Sequence, residues 1–328
     1  MTDWDSWRKH VDWVVETRGR WYGLGDGDGA PLVDLSEPLE AVLPEQWAAS
    51  EDLSVTVAGV EPGGRMNRVA ELLVAGVLDD VDESGRPRPA QGTYTLLVAL
   101  RGPGGGVVRR GGVVTHVEAS DADNDGVPER LVIHALNAAD VWRTVPAVSW
   151  PAAWWKAEPY EVTTDESGVE YGRPWSLAKV ELASRTFFTV KNGPAGFVIR
   201  RLAQESLDAA MASQRDPDGT WWVDDPFHVV EVPEHDSSPE VSLEARDGML
   251  WDTVSGQAQN AGLLLGARLW WPGDPPVRCW SPVKKGMDPA EVDISPSEGE
   301  SKRTLSERSF PHVMVVLTVT EVGDHDGQ

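Results

Sequence analysis

The strongest pattern of apolar and polar positions lies between Leu243 and Pro276. Apolar residues recur there at three- and four-residue steps, which predicts a helix with one buried face. Gly262 stands where a left-handed residue would end that helix. The apolar run Leu263 to Trp271 then predicts a buried strand, which the Pro- and Gly-rich turn up to Pro276 stops. The apolar helical positions are Leu250, Trp251, Val254, Ala258 and Ala261.

A second amphipathic helix is predicted over residues 3 to 18, where Trp4, Trp7 and three valines share one stripe. Thr2 or Asp3 is the candidate cap, because both side chains can accept a hydrogen bond from the first turn. No hairpin partner follows this helix directly. It is therefore expected to dock either on the core of its own chain or on a neighbouring subunit.

A third helix is predicted from the segment Asn192-Gly193-Pro194, because proline favours the first helical turn. The apolar spacing carries this helix to about Ser213. Arg201 and Glu205 lie one turn apart and are expected to pair on its solvent-facing side. Residues 67 to 80 fit either a short helix or a strand, and we interpret them as a helix.

Strand-like alternation accounts for much of the remaining chain. Arg20 to Leu35 predicts a strand-turn-strand unit with its bend at Gly25 to Gly29. Between Tyr94 and Asn137, apolar segments separated by Gly-rich or Asp-rich turns predict an antiparallel meander or small barrel. Further strands are predicted at 53–57, 228–232, 241–245 and 312–322. Polar loops are predicted at 79–92, 160–173 and 284–309. Residues 138–155 are expected to wrap between modules.

This order of elements predicts the α+β class, with mainly antiparallel β modules, either small barrels or sandwiches, and a few amphipathic helices. At 328 residues the chain is too long for one small core. The predicted organisation is an N-terminal helix at 1–19, a first β module at 20–145, a connecting segment at 146–224 that carries the helix at 194–213, and a second β/α module at 225–328.

Composition indicates a globular chain stabilised by burial, with 41% hydrophobic and 25% charged residues. The single cysteine, Cys279, excludes an internal disulfide and a cysteine-based zinc cluster, and it is expected to be a small buried hydrophobe. The chain has 16 Trp but only five Phe and four Tyr. Indole rings therefore supply a large share of the core or of the subunit contacts.

Charge argues against recognition of nucleic-acid phosphates, since 53 acidic residues face 29 basic ones and the formal net charge is −24. Solubility explains most of this charge, although an acidic lining would also let DNA slide through a channel without binding. No apolar run approaches the roughly 20 residues that span a bilayer. The N-terminus does not resemble a signal peptide, so we expect assembly in a cytoplasm.

The segment from Asp121 to Gly126 imitates the start of a calcium loop, and its candidate metal ligands are Asp121, Asp123 and Asp125. Val132 stands where such a loop needs a bidentate glutamate, and the flanks are strand-like, so we favour an acidic hairpin turn and predict no bound metal. His116 and His134 could face each other across the hairpin, either as a metal pair or as ordinary cross-strand neighbours.

No nucleophile elbow or phosphate-binding loop is found, so the sequence predicts no enzymatic activity and no cofactor. The tryptophan pairs Trp154-Trp155 and Trp270-Trp271 are candidate binding residues instead. Neighbouring residues on a strand point to opposite faces, so each pair should send one ring inward and one outward. An outward ring would stack on sugar or, as we favour, contact another subunit. The candidate interface residues are Trp4, Trp7, Trp154, Trp155, Trp270 and Trp271.

The helix followed by AGLLLGARLWWPGDPP resembles the corresponding segment of the Gp37-like family of actinobacteriophage minor tail proteins. Three further stretches are similar to that family in pattern and order: Gly111 to Trp155, Val180 to Leu207, and Pro311 to Val322. Together they cover the chain from about Leu53 onward. None of these stretches carries a catalytic motif.

The resemblance implies a structural virion protein of the siphophage tail tip, similar in placement to a baseplate hub. It implies a homotrimeric ring that closes the tail tube, contacts the distal tail protein, the tape measure protein and other tip proteins, and lets genomic DNA pass without specific binding. Its location would be the virion tail tip after assembly in the host cytoplasm. The alternative is a tail-associated protein that binds cell-wall carbohydrate or hydrolyses it.

Overall fold

The protein is described from a computed structural model, which covers residues 2–35, 37–44, 52–75, 93–102, 105–123, 125–147, 160–177, 189–215, 225, 227–246, 248–282 and 303–322. The chain has a mixed α/β fold with mostly antiparallel sheets and a few helices, which confirms the predicted class at that level. Within these residues, no helix is long and apolar enough to cross a lipid bilayer.

The first half of the chain supplies one large sheet and its surrounding helices. Its strands are β1 (Arg20–Gly25), β2 (Pro31–Asp34), β3 (Glu40–Val42), β4 (Leu53–Ala58), β5 (Thr95–Arg101), β6 (Val107–Ser120) and β7 (Arg130–Ala135). Its helices are α1 (Trp4–Arg18), α2 (Arg68–Ala70) with its π-helical continuation Glu71–Ala75, the 3-10 turn Ala138–Asp140, and α3 (Val141–Thr144).

The second half supplies smaller sheets and two longer helices. Its strands are β8 (Tyr160–Thr164), β9 (Glu170–Leu177), β10 (Thr189–Pro194), β11 (His228–Val230), β12 (Glu240–Ala245), β13 (Leu263–Trp270), β14 (Val277–Trp280), β15 (Leu305–Arg308) and β16 (Met314–Glu321). Its helices are α4 (Ala195–Arg215) and α5 (Leu250–Asn260).

The large sheet has the order β2-β1-β5-β6-β7-β4-β3, and all of its neighbours are antiparallel. The first half of β6 pairs with β5 and the second half with β7, with a bulge between Val114 and His116. Because a bulge bends its strand, the sheet folds into two facing halves. The meander prediction is confirmed. The small barrel is not, because the edge strands β2 and β3 do not pair within the described residues.

Apolar side chains from both halves of this sheet form the first core. On β7 the alternation is strict, since Leu131, Ile133 and Ala135 are buried while the residues between them are more exposed. The outer face of the other half, including Leu97 and Ala99, packs beneath α1. The chain therefore uses both faces of β1 and β5 for burial.

The second core packs α4 and α5 against β13 and β16. Strands β13 and β16 are antiparallel, and β11 joins β16 in parallel. Strand β10, just before α4, pairs with β12 across residues 189–194 and 240–245. Helix α4, which the sequence analysis predicted at 194–213, packs in the second core together with β13, β16 and α5.

Several element predictions are confirmed. Helix α1 begins where Asp3 accepts the N–H of Ser6 at 3.1 Å. Helix α5 is followed by Gly262 in the left-handed region (φ 70°) and then by β13. Residues 68–75 are helical after the N-cap Asn67, and residues 76–80 lie outside the described residues, as does the loop predicted at 79–92.

Two predicted loops contain strands instead. Residues 160–173 belong to the hairpin β8–β9, whose turn is closed by the side chain of Asp165, which accepts the N–H groups of Ser167 and Val169. In the segment 284–309, Leu305–Arg308 forms β15 and pairs with β14. Backbone hydrogen bonding stabilises both units, and an apolar pattern therefore cannot reveal them.

Candidate functional site

A cleft of about 420 Å³ opens between the large sheet and the second module. Val113 and Leu136 come from the β6–β7 side, and Phe227 comes from the segment just before β11. These side chains are 45%, 41% and 53% exposed, respectively. The floor is formed by further apolar side chains, among them Leu269 and Val315. We call this the intermodule cleft, and its exposed residues Val113, Leu136 and Phe227 the apolar rim.

The position of Phe227 is fixed by a local hydrogen-bond network. The buried carboxylate of Asp225 accepts the backbone N–H groups of Phe227 at 2.8 Å and of His228 at 3.0 Å. Its other oxygen lies 3.0 Å from Nδ1 of His228. Phe227 also accepts the N–H of Val315 through its carbonyl. The backbone of Phe227 is therefore hydrogen-bonded through both its N–H and its carbonyl group, while its ring is exposed at the cleft.

The carboxyl group of Asp140 lines the intermodule cleft and has a shifted pKa. Partial burial raises the pKa of its carboxyl above the ordinary value, although nearby Arg143 opposes the shift. The residue ends the 3-10 turn that leads into α3, and its side chain makes no capping hydrogen bond. The cleft is thus mainly apolar, with a carboxyl group that is costly to ionise.

Exposed apolar side chains also lie at the two edges of the large sheet, with β2 at one edge and β3 at the other. Leu32 on β2, Leu39 just before β3 and Val42 on β3 are 45%, 68% and 48% exposed. Edge strands present unpaired backbone groups, and apolar side chains on them favour pairing with another chain. We call these three residues the edge patch. Neither the edge patch nor the apolar rim was predicted, because single apolar residues beside turns carry no periodic signal.

The predicted interface residues Trp4, Trp7 and Trp271 lie in a cluster within the chain. The rings of Trp4 and Trp271 are 5.7 Å apart, and Trp21 meets Trp271 edge to face at 6.1 Å. Trp7 contacts Trp21 at 6.3 Å. Trp271 is completely buried, and Trp4 and Trp7 are partly buried. Helix α1 therefore docks on the core of its own chain.

Trp270 points to the opposite side from Trp271, as the strand rule predicts, but it is also completely buried. Its indole N–H donates to the carbonyl of Pro275 at 2.8 Å, and its ring packs on Phe310. Cys279 is buried in the same cluster. The expectation that one ring of this pair faces outward is therefore wrong. Trp154 and Trp155 lie outside the described residues.

The acidic hairpin loop does not assemble its predicted ligands. The carboxylate of Asp121 accepts the backbone N–H groups of Asp125 and Gly126. The side chain of Asp125 accepts the N–H of Val127, and Glu129 accepts that of Ala122. These carboxylates close a tight turn between β6 and β7. Asp121, Asp123 and Asp125 do not form a ligand group in the described part of the chain.

A different set of possible metal ligands lies beside this loop, on the outer face of β6 and β7. His116, Glu118 and His134 hold ligand atoms within 4.8 Å of one another. His116 and His134 are direct cross-strand partners, and their rings are stacked at 4.2 Å with an angle of 7°. The prediction that they face each other is confirmed. Glu118 was missed, although its spacing of two from His116 places it on the same face.

A scan against protein-family models finds no match to this chain, and a search of curated proteins finds none either.

Proposed function

We propose that this chain is a structural component of a siphophage tail tip, a minor tail protein of the hub type. In this proposal, copies of the chain form a homotrimeric ring that closes the tail tube and links it to the tip proteins that attach to the host. The ring opens to let DNA pass, and its role is mechanical rather than catalytic. The proposal starts from the resemblance to the Gp37-like minor tail proteins.

The observation that carries the proposal is the apolar rim of the intermodule cleft. Val113, Leu136 and Phe227 are exposed around a floor that includes the buried side chain of Leu269. A concave surface with exposed apolar residues is typical of a subunit contact. We assign a segment of the neighbouring copy to this cleft.

The edge patch supports the same arrangement. Leu32, Leu39 and Val42 lie on or beside the two edge strands of the large sheet, which pair with no further strand within the described residues. Edge strands of this kind can pair with a strand of another chain. In a closed ring, each copy uses one surface to contact the next copy and a different surface to receive the previous one. The apolar rim and the edge patch are two such surfaces on one chain.

Charge and partners complete the proposal. The net charge of −24 disfavours binding to DNA phosphates, so an acidic channel would let DNA slide. The neighbours in the tail would be the distal tail protein above the ring and the tape measure protein and other tip proteins within or below it. The location is the virion tail tip, reached after assembly in the host cytoplasm.

Mass photometry and sedimentation of the purified chain test the ring. We expect a trimer whose mass falls to that of a monomer in Phe227→Asp, because a buried carboxylate at an apolar contact is strongly unfavourable. Val169→Asp is the matched control, since Val169 is also exposed but lies on the β8–β9 hairpin, away from the cleft. A chain that stays monomeric at high concentration contradicts the proposal, and a density map of the particle tip tests the location.

One observation favours the alternative of a tail-associated carbohydrate-binding protein. On β9, Tyr171 and Trp175 lie with ring centres 5.8 Å apart and planes at 33°, and Trp175 is 61% exposed. Exposed aromatic rings of this kind can stack on sugar rings. Retention on host cell walls that is lost in Trp175→Ala, combined with a monomeric state, would favour this alternative. Zymography tests a hydrolase activity directly.

A further inference from the structure

We infer that His116, Glu118 and His134 form a binding site for a divalent transition metal, with Zn²⁺ as the preferred ion. This inference is independent of the proposed tail function. It rests on the register of β6 and β7, which makes His116 and His134 cross-strand partners and pairs Glu118 with Val132. The three ligand side chains therefore occupy three corners of a rectangle on one face of the sheet.

The opposite face of this hairpin is the first core, where Val117 packs and where Ile133 is completely buried. The alternation of side chains therefore obliges the three ligands to point away from the core. Burial of the neighbours also fixes the backbone beneath them. The ligand positions are set by two paired strands, which hold a metal site more accurately than a loop does.

A neighbouring hydroxyl group orients the ring of His116. The hydroxyl oxygen of Thr115 lies 3.3 Å from the carbonyl oxygen of His134 and 3.2 Å from Nδ1 of His116. A contact at one ring nitrogen holds the ring in place and leaves the other nitrogen, Nε2, for a metal, which is how histidine ligands are oriented in metal sites.

His134 supplies the second nitrogen. Its Nε2 atom is buried and makes no hydrogen bond to the described residues, while Oε1 of Glu118 lies 3.2 Å away. Glu118 therefore faces this nitrogen at an ion-pair distance without a hydrogen bond, and a cation coordinated by both groups would satisfy them. The same cation would neutralise the carboxylate of Glu118, so one ion would stabilise both side chains.

The donor set points to Zn²⁺ rather than to Ca²⁺ or Mg²⁺. Two imidazoles and one carboxylate are typical ligands of zinc sites that keep a fourth position for water, whereas calcium and magnesium prefer oxygen alone. In a tetrahedral site the ligand atoms stand roughly 3.4 Å apart. The present separations, up to 4.8 Å, require the stacked rings to turn so that their lone pairs converge. His116 and Glu118 are exposed and His134 is partly buried, so the side chain of His116 can make most of this change without movement of the strands.

Equilibrium dialysis of the full chain against Zn²⁺, with metal analysis of the protein fraction, tests the site. We expect saturable binding of a single ion. His116→Ala and His134→Ala should each weaken the affinity by at least about tenfold, because each removes a direct ligand. Co²⁺ used as a probe should give visible absorption bands that are absent in both variants. These bands report coordination and do not depend on any activity of the protein.

Two control variants separate this site from other surface groups. His235→Ala removes an exposed histidine outside the cluster and should leave Zn²⁺ affinity unchanged. Asp121→Asn removes a candidate ligand of the acidic loop and should also leave it unchanged. Excess Ca²⁺ should not displace the ion. Absence of saturable Zn²⁺ binding, or equal binding by the folded double variant His116→Ala/His134→Ala, overturns the inference.

Discussion

The guanidinium carbon of Arg109 lies 4.5 Å from the centre of the Trp271 ring, and the same guanidinium donates a hydrogen bond to Asp274 at 2.6 Å. Arg109 belongs to β6 of the large sheet, whereas Trp271 and Asp274 follow β13 of the second module. Asp274 also accepts the backbone N–H of Trp271 at 2.8 Å. This contact joins the two modules through a desolvated cation–π pair.

Trp271→Ala should therefore destabilise the folded chain by about 3–5 kcal/mol, the usual cost of removing a buried indole. The free energy of unfolding from urea titration is the measurement. Trp13→Ala is the matched control, because Trp13 is 56% exposed, and its effect should stay within about 0.5 kcal/mol. If Trp271→Ala leaves stability intact but changes the oligomeric state, Trp271 is an interface residue and the burial described above is incorrect.

Gly112→Ala tests the close approach of β6 to the chain after β7. An added Cβ would lie 1.5 Å from the carbonyl oxygen of Leu136, which is backbone and cannot rotate away. We expect a loss of about 2 kcal/mol or more, because overpacking typically costs about 1–3 kcal/mol.

Gly256→Ala provides the opposite case within the same chain. Gly256 lies exposed inside α5, and an added Cβ meets nothing within 4 Å. Alanine should stabilise the protein by about 0.5–1 kcal/mol, the usual cost of an interior helical glycine. Thermal unfolding at one pH should show a lower midpoint temperature than wild type for Gly112→Ala and a higher one for Gly256→Ala. A stable Gly112→Ala protein would contradict the contact between β6 and Leu136.

Lys191→Met tests the buried ion pair between β10 and α4. Burial alone would raise the pKa of Glu205, but Lys191 and Arg201 outweigh it and hold that pKa below its usual range. Removal of Lys191 should cost about 3 kcal/mol or more, because a buried carboxylate loses one of its cations.

The control for Lys191→Met is Arg68→Met, which breaks an exposed pair with Glu71 and should cost less than about 1 kcal/mol. Because the folded pKa of Glu205 is lowered, its contribution is present above the unfolded pKa and is lost as pH falls through the folded value. The difference between wild type and Lys191→Met should therefore shrink in acid. A difference that grows in acid would contradict the assignment.

Asp140→Asn should stabilise the protein at neutral pH. Burial raises the folded pKa of Asp140, so the folded state binds a proton more tightly than the unfolded state. Below the unfolded pKa both states are protonated and the residue costs nothing. As pH rises through the folded pKa, ionisation of the partly buried carboxyl becomes unfavourable. The stability gained by Asp140→Asn should increase between the unfolded pKa and the folded pKa of Asp140 and stay constant at higher pH. Chemical denaturation at several pH values measures this gain.

The local pattern of the sequence was sufficient for the elements whose signals are local. The spacing in α1 and α5 and the alternation in β7 follow from helical and strand periods, and the left-handed glycine after α5 follows from the steric freedom of that residue. The opposite directions of Trp270 and Trp271 follow from the same strand geometry.

The candidate surfaces depended on contacts between distant parts of the chain. Sequence spacing placed Arg201 and Glu205 together, and they do pair at 2.8 Å, but it assigned them to solvent. Glu205 is buried because β10 brings Lys191 over it. In the same way, the register between β6 and β7 brings Glu118 to the two histidines, and this register includes a bulge that no local pattern predicts.

The sequence by itself determined where the amphipathic helices and the apolar strands form and which side of each is apolar, because these properties depend on neighbours within one or two turns. Only the tertiary structure decided which apolar sides are covered. Trp271 became core because α1 and Trp21 pack on it, while Val113 and Phe227 stayed exposed at the intermodule cleft. Burial depends on the packing of segments distant along the chain, and the pattern of any single segment does not contain that information.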